Sequence, residues 1–244
     1  MQSAIKGSPK VLLSATLSVL LGIGVVVGVG YTLNGASDDG RDPVVATMAG
    51  NIDTPKGNMP HATATLSVYA DAESSEGAHG PDGGGHPGYV TYGPSNHLIL
   101  PANSLITITI KGYDGGESLN TPFFGKVIGT VDGSMDVDGK KVTLLGMKEV
   151  QHTFTIHGVP TSTQDPLFVN IPLSKQPDDA MEKFDEDGTL PTPVVTTFSF
   201  YTGGAGEYVW NCEFPCGDGT YAKFGAAMSK YGYMSGKVSV VDHI

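Results

Sequence analysis

The dominant feature of the hydrophobic pattern is one unbroken apolar run, VLLSATLSVLLGIGVVVGVGYTL, 23 residues from Val11 to Leu33 without a charge. As a helix rising 1.5 Å per residue it extends about 35 Å, enough to cross a hydrocarbon core of about 30 Å. A core helix of a soluble domain would carry a polar face, and none interrupts this run. From Ala62 onward the pattern changes to short apolar stretches separated by turn chemistry: ATATLSVYAD, YVTYG, HLILP, LITITIKGYDGG, GKKVTLL, VQHTFTI, LFVNIPL, VVTTFSFY, GEYVWNC and GKVSVV. Most are β-branched or aromatic, many alternate with period two, and none outside the first run has a helical period. The pattern predicts an all-β Greek-key sandwich preceded by one N-terminal transmembrane helix.

The flanks of the apolar run orient it. Lys6 and Lys10 precede it and NGASDDGRD follows it, so the positive-inside rule puts the N-terminus in the cytoplasm. The expected organisation is a cytoplasmic stretch 1–10, a transmembrane anchor 11–33, a linker 34–61 and an extracytoplasmic domain 62–244 of a single-pass cell-membrane protein. A cleaved signal peptide is the competing reading. Its apolar core normally spans about 7–15 residues and ends at an A-x-A site, so length and exit favour an uncleaved anchor. The linker is rich in Gly, Asp, Asn and Pro without sustained period and reads as a tether with room for one short strand.

Composition narrows the function. Fourteen Lys and Arg stand against 25 Asp and Glu, a formal net charge of −11, which excludes the basic footprint that nucleic acid requires. Two glycine-rich stretches, ESSEGAHGPDGGGHPG and GTVDGSMDVDGK, interrupt the strands. His79 and His86 in the first read as solvated loop residues rather than ligands. Asp132, Asp136 and Asp138 in the second miss the D-x-D-x-D-G spacing and closing Glu of a calcium loop, and read as turn residues. No G-x-S-x-G nucleophile elbow and no phosphate-binding glycine loop occurs.

The only two cysteines, Cys212 and Cys216, lie in EYVWNCEFPCGDG beside the only tryptophan, Trp210. Metal loop, disulfide and buried thiols are all open for a C-x-x-x-C pair. Strand parity bears on the choice, because alternate side chains face opposite sides. Tyr208, Trp210 and Cys212 share a face that two aromatics mark as the core side. Val150, His152, Phe154 and Ile156 share another inward face, with Thr153, Thr155 and His157 opposite. A histidine and a cysteine on inner faces can meet at one pole of a sandwich.

VQHTFTI, VVTTFSFYTGGAGEYVWNCEFPCG and YGYMSGKVSVV resemble the cupredoxin superfamily, in particular the periplasmic domain of cytochrome c oxidase subunit II, and HLILPANSLITITIKGYDGG matches the usual early strands. The resemblance spans roughly Ala62 to Val241. It implies a cupredoxin-like Greek-key β-sandwich and a copper site. His152 carries over from the V-x-H-x-F strand, and Cys212, Cys216 and Gly217 from the C-x-x-x-C-G loop. The loop glutamate of the family falls on Phe214, with Glu213 one place early. The family's later histidine and methionine fall on Thr220 and Lys223, which do not match. After His157 the only remaining histidine is His243. Met228 and Met234 supply thioethers suited to Cu(I), so the implied metal set is His152, Cys212, Cys216, Met228 and Met234.

Two expectations follow from the resemblance. One is a membrane-anchored copper protein that transfers electrons to or from a redox partner such as a cytochrome or terminal oxidase, as an accessory or subunit-II-like component rather than a stand-alone enzyme. The other is a copper-free cupredoxin-like interaction or assembly module closed by a Cys212–Cys216 disulfide.

Overall fold

The computed structural model describes residues 9–36, 41–70, 90–115, 122–146, 148–158, 163–183, 189–216, 226–229 and 232–244. The chain divides into two units at Asp38/Asp39. In the first, helix α1 covers Pro9–Ala36. Its Leu13–Gly30 window has a mean hydropathy of 2.1 and is exposed along its length, so this helix is long and apolar enough to cross a membrane.

The second unit is a two-sheet β-sandwich. One sheet has the order β1 (Val44–Val45), β5 (His97–Pro101), β13 (Ser235–Val241), β12 (Gly206–Asn211), β9 (Val150–His157) and β10 (Phe168–Ser174). The other runs β2 (Thr47–Thr54), β3 (Gly57–Tyr69), β6 (Leu105–Asp114), β11 (Thr189–Tyr201), β7 (Met135–Val137) and β8 (Lys140–Val142), with β4 (Thr91–Gly93) attached to β3. The chain repeatedly changes sheet, from β5 to β6, from β10 to β11 and from β11 to β12, and these crossovers make the β3–β6 and β5–β13 pairs parallel. Pro172 is tolerated because β10 is an edge strand.

The expected sandwich and N-terminal helix are both present. Strands begin earlier than the expected domain start at residue 62. β1 and β2 lie wholly within the stretch read as tether, and β3 starts there. The β2–β3 hairpin leaves most of β2 exposed, Met48 and Ile52 included, so no inward face marks it in the sequence. Outside α1, a short helix α2 (Ala226–Ser229) also forms.

Alternation supplies the core. Along β6, Ile106, Ile108 and Ile110 point inward and are buried, while Thr107 and Thr109 form a hydroxyl ladder with Ser199 and Thr197 of β11 on the other face. Trp210 sits at the centre of an aromatic cluster, 4.6 Å from the Tyr92 ring and 4.9 Å from Phe154. Its Nε1–H donates to the Asn96 carbonyl at 2.9 Å, which removes the cost of burying the indole N–H. β13 passes so close to this carbonyl that a Cβ on Gly236 would lie 1.8 Å from it, so only glycine fits.

Candidate metal centre

β9 lies between β12 and β10 and is buried on both faces from Val150 to Ile156. One face carries His152, Phe154 and Ile156 into the core. The other is covered by the 124–128 segment, which Asn170 ties down: Thr155 Oγ1 donates to Asn170 Oδ1, and Asn170 Nδ2 donates to the carbonyls of Phe124 and Lys126. His152 therefore stands in a strand covered on both faces. Cys212 immediately follows β12, and its amide donates to the Met234 carbonyl at 2.9 Å, extending the β12–β13 ladder by one residue.

The loop then turns back. Cys216 N–H donates to Phe214 O, Glu213 N–H donates to Thr153 Oγ1, and Phe214 packs edge-on at 6.2 Å from Phe124. This fold of the loop brings both sulfurs to the imidazole. His152 Nδ1 is 3.0 Å from Cys216 Sγ and 3.9 Å from Cys212 Sγ, and the two sulfurs are 3.2 Å apart. All three side chains are buried. The cysteines are free thiols, with a sulfur separation well beyond the bonded value of about 2.05 Å.

Behind the histidine stands a residue that the sequence reading omitted. His152 Nε2 donates to Asp114 Oδ2 at 2.5 Å, and Gln151 Nε2 donates to the Asp114 carbonyl. Asp114 was legible by parity: it continues the inward series Ile106, Ile108, Ile110, Gly112 to the end of β6, and a carboxylate on a core face requires a partner.

Electrostatics follow from this packing. Burial pulls the His152 imidazole toward neutrality, but the hydrogen bond to Asp114 and the Cys212 sulfur outweigh it and raise its pKa to about 10. Burial also disfavours the Cys212 thiolate, yet hydrogen bonds from Cys216 and His152 hold Cys212 well below the ordinary thiol value. Cys216 is pushed well up by its hydrogen bond to Cys212 and by burial. These shifts favour an imidazolium beside a Cys212 thiolate, with the proton on the Cys216 sulfur. The Cys212 sulfur also accepts the Thr153 amide at 3.4 Å. Tyr92, whose hydroxyl donates to Thr153 O, is kept protonated by burial first and then by the two sulfurs and Asp114.

His152, Cys212 and Cys216 are the one His/Cys/Asp/Glu group among the described residues whose ligand atoms lie close enough to hold a metal, all within 4.8 Å of one another. The donor set fits a thiophilic ion. Metal–sulfur and metal–nitrogen bonds of about 2.3 and 2.0 Å place tetrahedral donors about 3.5–3.8 Å apart, so small adjustments bring these three atoms onto one ion. The Asp114 hydrogen bond on the far ring nitrogen leaves Nδ1 facing the sulfurs, which is how metal-bound histidines are oriented.

The remaining sequence candidates are placed as follows. Met234 is buried and its carbonyl accepts the Cys212 amide; Met228, on α2, is half-buried against the same core. His157 is half-buried and bonded to Asn211, and His243 is exposed. Asp132 and Asp136 accept the local amides of Ser134 and Gly139, but Asp136 itself lies on β7, inside the stretch expected to be loop, and Asp138 accepts the Val195 amide of β11. His79, His86, Gly217, Thr220 and Lys223 lie outside the described residues.

Among solved structures, auracyanin B aligns at 11% identity and a TM-score of 0.33, covering 80% of this chain and 97% of that one. A structure of the copper protein rusticyanin aligns at 14% identity and 0.33, covering 78% and 86%. Rusticyanin from Thiobacillus ferrooxidans aligns at 14% and 0.31, covering 74% and 81%. No protein-family model matches the sequence, and no curated protein does.

Proposed function

We propose that the chain is a membrane-anchored, extracytoplasmic cupredoxin-like protein that binds copper through His152 Nδ1, Cys212 Sγ and Cys216 Sγ and carries single electrons. The observation that carries this reading is the convergence of one imidazole nitrogen and two sulfurs in a buried pocket, with the far imidazole nitrogen held by Asp114. The sequence resemblance points the same way, and it makes Met234 or Met228 the candidate for a weak thioether ligand. It also suggests an oxidase-associated, subunit-II-like role, with a cytochrome or terminal oxidase as partner.

Bound copper supplies one-electron chemistry between Cu(I) and Cu(II). The chain does the rest. The Cys212 thiolate is already in ligand form, whereas His152 Nδ1 and Cys216 Sγ each give up a proton on loading. β9 and β12 hold two of the three donors on a rigid sheet, which keeps reorganisation small, and the buried walls exclude water. The net charge of −11 favours a partner with a basic face.

The position of the sulfurs, 3.2 Å apart, also suits a copper-free module that closes the loop by oxidation. Cys212→Ser separates the two readings. Under the copper reading it removes tight metal binding and any thiolate-to-copper absorption. Under the other it leaves metal behaviour unchanged and lowers stability alone.

A further inference from the structure

The segment that carries Met234 is gripped at four consecutive carbonyls. Arg41 donates to Gly232 O, Asn96 Nδ2 donates to Tyr233 O at 2.7 Å and to Ser235 O at 2.9 Å, and Cys212 N–H donates to Met234 O at 2.9 Å. Tyr92 N–H gives Tyr233 O a second donor at 3.2 Å. Arg41 also donates to Tyr92 O at 2.9 Å and to Asn96 Oδ1. A guanidinium can only donate, so Asn96 must turn its oxygen toward Arg41 and its amide protons toward the 233 and 235 carbonyls. Arg41 thereby fixes the side chain that clamps both neighbours of Met234. Asn96 is fully buried, and its backbone carbonyl accepts from Trp210 Nε1 and Lys237 N, so the residue is held at main chain and side chain alike.

We propose that Arg41 is a positioning residue of the metal centre: through Asn96 and the 232–235 carbonyls it sets the backbone that holds Cys212. The residue lies in the stretch that reads as a tether with room for one short strand, five positions beyond the end of α1 and ahead of the first strand. The proposal rests on Cys212 being a copper ligand, as above. Lysine substitutes only in part, because a single ammonium keeps the charge but does not reach three acceptors in a planar fork.

The test uses the full chain in detergent with Arg41→Ala and Arg41→Lys. In the metal-free protein, hydrogen exchange at the Cys212 amide should speed up by roughly tenfold or more, the scale of losing a charged hydrogen bond, while the Ile108 amide on β6 keeps its rate. In the copper-titrated protein, the absorption maximum and EPR parameters should shift in both variants, with Arg41→Lys recovering part of the wild-type spectrum. Asn96→Asp keeps the partner of Arg41 but loses both donors to the 233 and 235 carbonyls, and it should reproduce the exchange effect if Arg41→Ala does not fold. Equal acceleration at Cys212 and Ile108, or spectra identical to wild type, would overturn the proposal. A wild-type chain that shows no copper band while Cys212 exchange still responds to Arg41 would instead remove the copper reading and leave the positioning intact.

Discussion

Asp114→Asn keeps the shape of the pocket but removes the anion that orients His152. Copper affinity is expected to fall about 10- to 100-fold, measured by competition with a chelator. The metal-free domain is expected to melt earlier as well, because the variant leaves the buried imidazole without its carboxylate. An unchanged affinity would mean that the Asp114 hydrogen bond does not orient His152 for the metal. The metal-free pocket should also leave a signature in stability against pH. Folded His152 titrates near 10 rather than 6.5, and folded Cys212 well below 9.0. Between pH 6.5 and 9.0 the folded imidazolium and the unfolded Cys212 thiol each hold one proton, so this pair contributes a plateau. Below 6.5 the unfolded chain binds the extra imidazole proton and stability falls with pH. Above 9.0 the unfolded thiols lose protons that folded His152 and Cys216 retain, and stability falls as pH rises. Denaturant melts of the copper-free domain from about pH 5 to about 10.5 check this, and stability still rising above pH 9 would contradict the ion pair. At this scale the sequence was informative wherever a side chain obeyed strand parity: Tyr208, Trp210, Cys212, His152 and Phe154 are all buried as expected. Asp114 obeys the same parity and went unread, because an acidic residue next to Gly-Gly looks like turn chemistry. Arg41 obeys no pattern, since its three acceptors come from positions 51 to 191 residues away.

Among elements, the strands with an alternating buried face were legible, as was the exposed β8 through GKKVTLL, whereas β1, β2 and β7 were not. β6, β9, β12 and β13 each combine alternation with β-branched or aromatic residues. β1 has two residues, and β2 is exposed along nearly its whole length, so both lack the signal that period-two reading needs. Their contribution is nonetheless specific: β1 pairs in parallel with β5, and Ala46, just after it, is buried and donates its amide to Ile99 O. A fragment starting at residue 51 loses Arg41, β1 and the first half of β2, whereas one starting at residue 39 retains them. The shorter fragment is expected to be less stable by about 2 kcal/mol or more, from a lost charged hydrogen bond and exposed apolar area, with an altered Cys212 environment. Equal melting midpoints for the two fragments would show that these segments contribute nothing to the sandwich.

For the whole molecule, the proposed function gives the apolar helix the anchoring and the acidic sandwich the chemistry, and the sandwich buries one imidazole and two sulfurs where β9 and the end of β12 meet. The most direct test of that account is copper titration of the full chain, purified under reducing conditions and then freed of reductant, with free thiols, visible absorption and EPR recorded on the same samples. The account predicts two free thiols before titration, tight uptake of copper with an intense thiolate-to-copper band, loss of that band on one-electron reduction and its return on reoxidation, and no band in His152→Ala. Two free thiols with no tightly held copper and no band would contradict it, and the buried His152–Cys212–Cys216 cluster would then be a structural ion pair rather than a metal centre.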